Sequence, residues 1–146
     1  MKIAIGCDHG AVERKNQIVS HLQALGHVVQ DFGTHTTDSC DYTDYASAAA
    51  RAVANGECDR GIVLCTTGIG VSIAANKIKG IRCALLSDLL TARMTREHND
   101  TNVMALGAAL VDKDLALQIV DVWLNTPFSG AEKHVRRIAK LAELEK

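Results

Sequence analysis

The sequence predicts an α/β fold: one domain with a parallel β-sheet covered by helices on both faces. Three observations carry this. Short apolar runs alternate with segments of helical period along the whole chain. The connections are short, and no shift in composition marks a linker or a repeat. One apolar run, Ile62-Val63-Leu64, stops at Cys65, crosses Thr66-Thr67-Gly68-Ile69-Gly70 and resumes as Val71-Ser72-Ile73-Ala74-Ala75, a strand, turn and helix in succession. In such sheets ligands bind at the carboxyl ends of the strands, near a topological switch.

In chain order, Lys2 to Cys7 reads as a buried strand, broken by Asp8-His9-Gly10 where a turn into a helix falls. Ala11, Ile18, Leu22 and Leu25 share one helical face, and Gly26 supplies the left-handed residue that ends the helix. A second strand, His27 to Phe32, leads through Gly33 into a hydroxyl-rich loop, Thr34 to Thr43, long enough to be functional. Tyr45, Ala48, Ala49, Ala52 and Val53 form a small-residue helical stripe, which lets a helix pack close to a sheet. After the central strand and helix, Ile81 to Leu86 is a fourth strand, and Ser87-Asp88 caps a helix carrying Leu89, Leu90, Ala92, Arg93 and Met94. Glu97-His98-Asn99-Asp100-Thr101-Asn102 runs into a fifth strand, Val103-Met104-Ala105-Leu106. Asp112 caps a helix with Leu115, Ile119, Val120, Trp123 and Leu124 spaced for burial, and Pro127 marks its end. A basic C-terminal helix closes the chain; its apolar face, Val135, Ile138, Leu141 and Ala142, suits either its own sheet or an interface.

Composition narrows the function. With 146 residues and 47% apolar content, the chain can bury a sizeable core without staples. Sixteen basic and 17 acidic residues give net charge -1, which advertises neither nucleic acid nor a charged membrane surface. No stretch has transmembrane length, and Met1-Lys2-Ile3-Ala4-Ile5 is too short an apolar run for a signal peptide, so a cytoplasmic protein is expected. The five cysteines are an odd set without CxxC spacing, which indicates reduced thiols and neither a disulfide framework nor a zinc site.

Cys65 stands at a strand end before a helix N-terminus, where backbone N–H groups and the helix dipole favour a thiolate and an anion alike. The amides of Gly68, Ile69 and Gly70 offer donors for a developing oxyanion, and Thr67 offers a hydroxyl that relays protons. His98 exchanges protons near neutral pH. Each has a plainer reading: Cys65 as core, Asp8 as a helix cap, His9 and His98 as satisfied turn residues, Tyr42 as loop cover, Lys133 and Arg137 as a solvated helix face. Ile73 stands where a dinucleotide fingerprint has its third glycine, so no NAD is expected. A cysteine phosphatase loop needs an arginine six positions after its cysteine, and Val71 is there instead.

Gly6-Cys7-Asp8-His9-Gly10, Asp41-Tyr42, the stretch Cys65 to Lys77 and Arg96-Glu97-His98-Asn99-Asp100-Thr101-Asn102 together resemble the ribose-5-phosphate isomerase B family, which includes allose- and galactose-6-phosphate isomerases. The resemblance spans the chain. It implies a Rossmann-like three-layer sandwich with a five-stranded parallel sheet of order 2-1-3-4-5, and a homodimer or dimer of dimers whose active sites lie at the subunit interface near the C-terminal helix. It implies that Cys65 is the base acting on carbon, that Thr67 relays a proton, and that His98, helped by Asp8, opens the sugar ring. Tyr42 and Asn99 would line the sugar, and His9, Lys133 and Arg137 would approach the phosphate, some from the neighbouring subunit. No cofactor or metal is called for. Four positions depart from the family pattern: Ala109 and Lys133 where arginines are usual, Thr66 for glycine and Thr43 for proline. The expected reaction is ribose 5-phosphate to ribulose 5-phosphate. The alternatives are a six-carbon sugar phosphate, a free sugar, or a non-catalytic sugar-phosphate-binding subunit.

Overall fold

A computed structural model describes residues 1–146. The elements run β1 (Lys2–Cys7), α1 (Val12–Ala24), β2 (Val28–Asp31), α2 (Tyr42–Ala54), β3 (Arg60–Cys65), α3 (Ile69–Asn76), β4 (Cys83–Leu85), α4 (Leu89–Asn99), β5 (Val103–Gly107), α5 (Lys113–Asn125) and α6 (Glu132–Glu143). All strand pairs are parallel. The expected three-layer α/β architecture is present, but the sheet order is β2-β1-β3-β5-β4, so the last two strands exchange places relative to the expected 2-1-3-4-5. The reason is burial. Every residue of β5 is buried, which requires neighbours on both sides, whereas β4 is three residues long and half exposed, as befits an edge.

Alternate residues of each central strand face opposite layers. Ile3, Ile5, Ile62, Leu64, Met104 and Leu106 pack with α1, α4 and α5 around Trp123. Ala4, Val63, Cys65, Val103 and Ala105 face α2 and α3, whose contacts are mostly alanine and valine. The small residues bring α2 close: a Cβ added at Gly6 would lie 2.7 Å from the Tyr45 carbonyl oxygen. The stripe on α2 is shifted slightly from expectation, with Ala46, Ala49, Ala50, Ala52 and Val53 buried and Tyr45 and Ala48 half-buried.

The expected caps form. Asp88 accepts from the Thr91 N–H at 2.7 Å, and Asp112 from the Leu115 N–H at 2.9 Å. Gly26 has φ +88°, the left-handed conformation expected after α1. On α6 only His134 is buried; Val135 and Leu141 are exposed, as is Leu144 just past the helix, at 81%. No helix is long and apolar enough to cross a membrane.

Candidate active site

The central strands bring three turns together at their carboxyl ends. Cys7 pairs in register with Leu64, and Cys65 with Gly107. The turn after β3 is built by Gly68, which takes φ +77° as the N-cap of α3 and donates its N–H to Cys65 Sγ at 3.1 Å. A donor on the sulfur stabilises negative charge there. The turn is seated on β5: Ala108 N–H donates to the Cys65 carbonyl and Ala109 N–H to that of Thr66, each at 3.0 Å. A Cβ at Gly107 would lie 2.5 Å from the Thr67 carbonyl, and one at Gly68 would lie 2.8 Å from the Leu106 carbonyl carbon, so both positions need glycine.

The three amides expected to face an oxyanion are not equivalent. Gly68 N–H is engaged by the sulfur and Ile69 N–H donates to Thr67 Oγ1 at 3.3 Å. Gly70 N–H is left as the donor without a partner in the chain.

The turn after β1 adjoins this one. Asp8 is buried, and its Oδ1 accepts from Gly10 N–H at 2.9 Å; it does not cap α1, whose N-cap is Ala11. A Cβ on Gly10 would fall 2.2 Å from Thr66 Oγ1, so the two turns touch. His9 Nδ1 lies 3.3 Å from the Cys40 nitrogen. Tyr42, 40% exposed at the start of α2, lays its ring against Gly70, where an added Cβ would meet it at 2.8 Å. Asp8, His9, Tyr42, Cys65, Thr67, Gly68, Ile69 and Gly70 thus gather on one end of the sheet.

His98, Asn99, Lys133 and Arg137 do not join them within one chain. Helix α4 runs back from the end of β4 to the start of β5, so His98 and Asn99, in its last turn, lie at the amino ends of the strands. The ties there are explicit: Gly61 N–H donates to the Asn102 carbonyl, and Arg82 Nε to the Asn99 carbonyl, both at 2.9 Å. A six-residue strand separates the two ends by about 17 Å. His98 stacks on His134 of α6 with ring centroids 4.3 Å apart and planes at 18°. His134, 8% exposed, is held below the usual histidine range by burial first, then by the charges of His98, Lys133 and Arg137. Four basic groups therefore converge at this second centre.

Sequence reasoning passed over His134, whose signal was its place between Lys133 and Arg137, and Cys40, which counts there only as one of five reduced thiols. At three of the other cysteines burial disfavours the thiolate. Burial pushes Cys7 and Cys83 up to about 12 and raises Cys58, so they stay protonated.

The family model described as Ribose/Galactose Isomerase matches residues 3–141. Ribose-5-phosphate isomerase B of Escherichia coli is 46% identical over 144 residues, covering 99% of this chain and 96% of that protein. Galactose-6-phosphate isomerase subunit LacB of Clostridium acetobutylicum is 40% identical, covering 99% and 83%. The structure of Clostridium thermocellum ribose-5-phosphate isomerase B superposes with a TM-score of 0.97 at 52% identity, covering 99% of this chain and 97% of that one.

Proposed function

The chain belongs to the ribose/galactose isomerase family, and on that premise we propose that it isomerises an aldose phosphate to its ketose through an enediolate, with ribose 5-phosphate to ribulose 5-phosphate as its reaction. The observation that carries this reading is the Cys65 turn: a sulfur at a strand end with an N–H donor at 3.1 Å, beside a hydroxyl and a free amide. In the ring-opened sugar, the Cys65 thiolate removes the proton from C2 and returns it to C1. The Gly70 N–H meets the oxygen on which charge develops, and Thr67 moves a proton between the two oxygens. Neither step uses a cofactor.

The second basic centre supplies what this end of the chain lacks. In a homodimer, His98 of one subunit, with Asp8 of the other, opens the ring, Asn99 and Tyr42 hold the sugar, and Lys133, Arg137 and His9 hold the phosphate. The exposed apolar side chains of α6 favour such an interface. Lysine at position 133 gives a point charge in place of a planar fork, so phosphate is held with less directional constraint.

One observation favours a six-carbon sugar phosphate as the second reading. It is the 40% identity to galactose-6-phosphate isomerase subunit LacB, whose name gives a six-carbon sugar phosphate. The test follows purified protein by NMR with ribose 5-phosphate, allose 6-phosphate, galactose 6-phosphate and the free sugars. One phosphate ester should convert rapidly, and Cys65→Ala should lower turnover by about a thousandfold. Undiminished turnover in that variant would refute the mechanism, and ligand-induced stabilisation without conversion would favour a binding subunit.

A further inference from the structure

The loop between β2 and α2 is fastened at both ends. At its start Phe32 N–H donates to the Ile5 carbonyl at 2.8 Å and Thr34 N–H to that of Cys7 at 2.7 Å. The fully buried Lys15 Nζ binds both Asp31 oxygens, the Thr34 carbonyl at 2.9 Å and His35 Nδ1 at 3.2 Å. At its far end the Tyr42 ring packs on Gly70. Between these anchors Cys40, half-buried, reaches the turn after β1. Its peptide N–H donates to His9 Nδ1 at 3.3 Å, and its Sγ lies 3.8 Å from the same nitrogen.

A peptide N–H only donates, so Nδ1 must present its lone pair to it, and the single proton of the neutral ring then sits on Nε2. A doubly protonated ring would set its Nδ1–H against the Cys40 N–H. Nε2 makes no hydrogen bond within the chain, so Nε2–H is the group left for a ligand. We propose that Cys40 is a positioning residue: its peptide fixes His9 as the Nε2–H tautomer and so gives the active site a neutral donor for an anionic oxygen of the substrate. The substrate side of this statement rests on the sugar-phosphate reading above; the tautomer itself does not. The positive charge that balances the phosphate then comes from Lys133 and Arg137, and His9 contributes direction.

The test uses the full chain with ¹⁵N-labelled histidine at about pH 8, above the ordinary histidine range, the His9 signals being those absent from His9→Gln. The ligand-free protein should show a bare Nδ1 and a protonated Nε2. Cys40→Ala, which keeps the peptide N–H, should preserve that tautomer. Cys40→Pro, which removes the N–H, should let the Nδ1–H tautomer appear beside the Nε2–H form and raise KM for the sugar phosphate about tenfold, the weight of one hydrogen bond, with a smaller change in kcat. An Nδ1–H tautomer or an even mixture in the wild-type protein overturns the proposal, as does a folded Cys40→Pro that keeps the Nε2–H form alone. Should Cys40→Pro not fold, an amide-to-ester replacement at position 40, which removes the same N–H without the proline ring, decides in its place, and an unchanged tautomer ratio there overturns the proposal. Titration with ribose 5-phosphate separates the two readings: unmoved His9 signals would overturn the assignment of His9 to the phosphate while leaving its tautomer fixed by Cys40.

Discussion

Two inactive variants of this protein should restore each other. On the proposed mechanism Cys65→Ala removes the carbon base and His98→Asn the ring-opening group, and each alone should retain under about 1% of turnover. Within one chain the two side chains lie at opposite ends of the sheet, about 17 Å apart along β3, too far for both to touch the same few atoms of one sugar. In the proposed homodimer each site then takes Cys65 from one subunit and His98 from the other. In a mixed dimer both substitutions fall in one site and the second site is whole. Equal amounts, unfolded and refolded together, give mixed dimers in about half the population, each with one working site of two, so activity should recover to about a quarter of wild type. Native mass spectrometry would verify the mixed dimers, and ketose formation by NMR would measure the recovery. Mixed dimers that form and stay inactive would refute the shared site.

Two further outcomes concern the scaffold. Lys15→Met strands the Asp31 carboxylate, which Lys15 Nζ meets at 2.8 Å and which is only 25% exposed, so urea denaturation should show a loss of about 3 kcal/mol, largely recovered in Lys15→Met with Asp31→Asn; a loss under about 1 kcal/mol would contradict the buried pair. His134 should titrate below the ordinary histidine value because burial and then the charges of His98, Lys133 and Arg137 oppose its protonation. Its value is lowered on folding, so its contribution to stability is present above the unfolded value of about 6.5 and is lost as pH falls through the folded one. NMR of the His134 ring checks this, and titration at or above the ordinary value would show the basic cluster is not formed.

Local features were legible in the sequence, and contacts between distant segments were not. The Cys65 turn is contiguous, so strand end, glycines and helix start could be read directly, and Asp88, Asp112 and Gly26 act as their residue types dictate. The order of β4 and β5 was misjudged because both are apolar runs, and only pairing on one side or two distinguishes them. The fourth strand also shrank from Ile81–Leu86 to Cys83–Leu85, since Arg82 N–H is taken by the Asn102 side chain. His134 became visible only when α6 stacked it on His98, and Cys40 only when its loop met a histidine 31 positions away. Nor could spacing tell that the Gly68 amide serves the sulfur and that the Gly70 N–H has no partner in the chain.

The seat of the Cys65 turn on Gly107 carries a mechanical consequence. With the Thr67 carbonyl where a Cβ of Gly107 would be, the turn has no space to recoil and behaves as a fixed stop backed by the centre of the sheet. On the proposed mechanism the thiol therefore meets each incoming sugar at the same place. Accommodation of a different chain length or stereocentre is then left to the side chains that the neighbouring subunit would bring, because the Tyr42 ring and the His9 turn are themselves tied to Gly70 and to Cys40. Substrate range would then be set from across the proposed interface, while the reacting end stays constant.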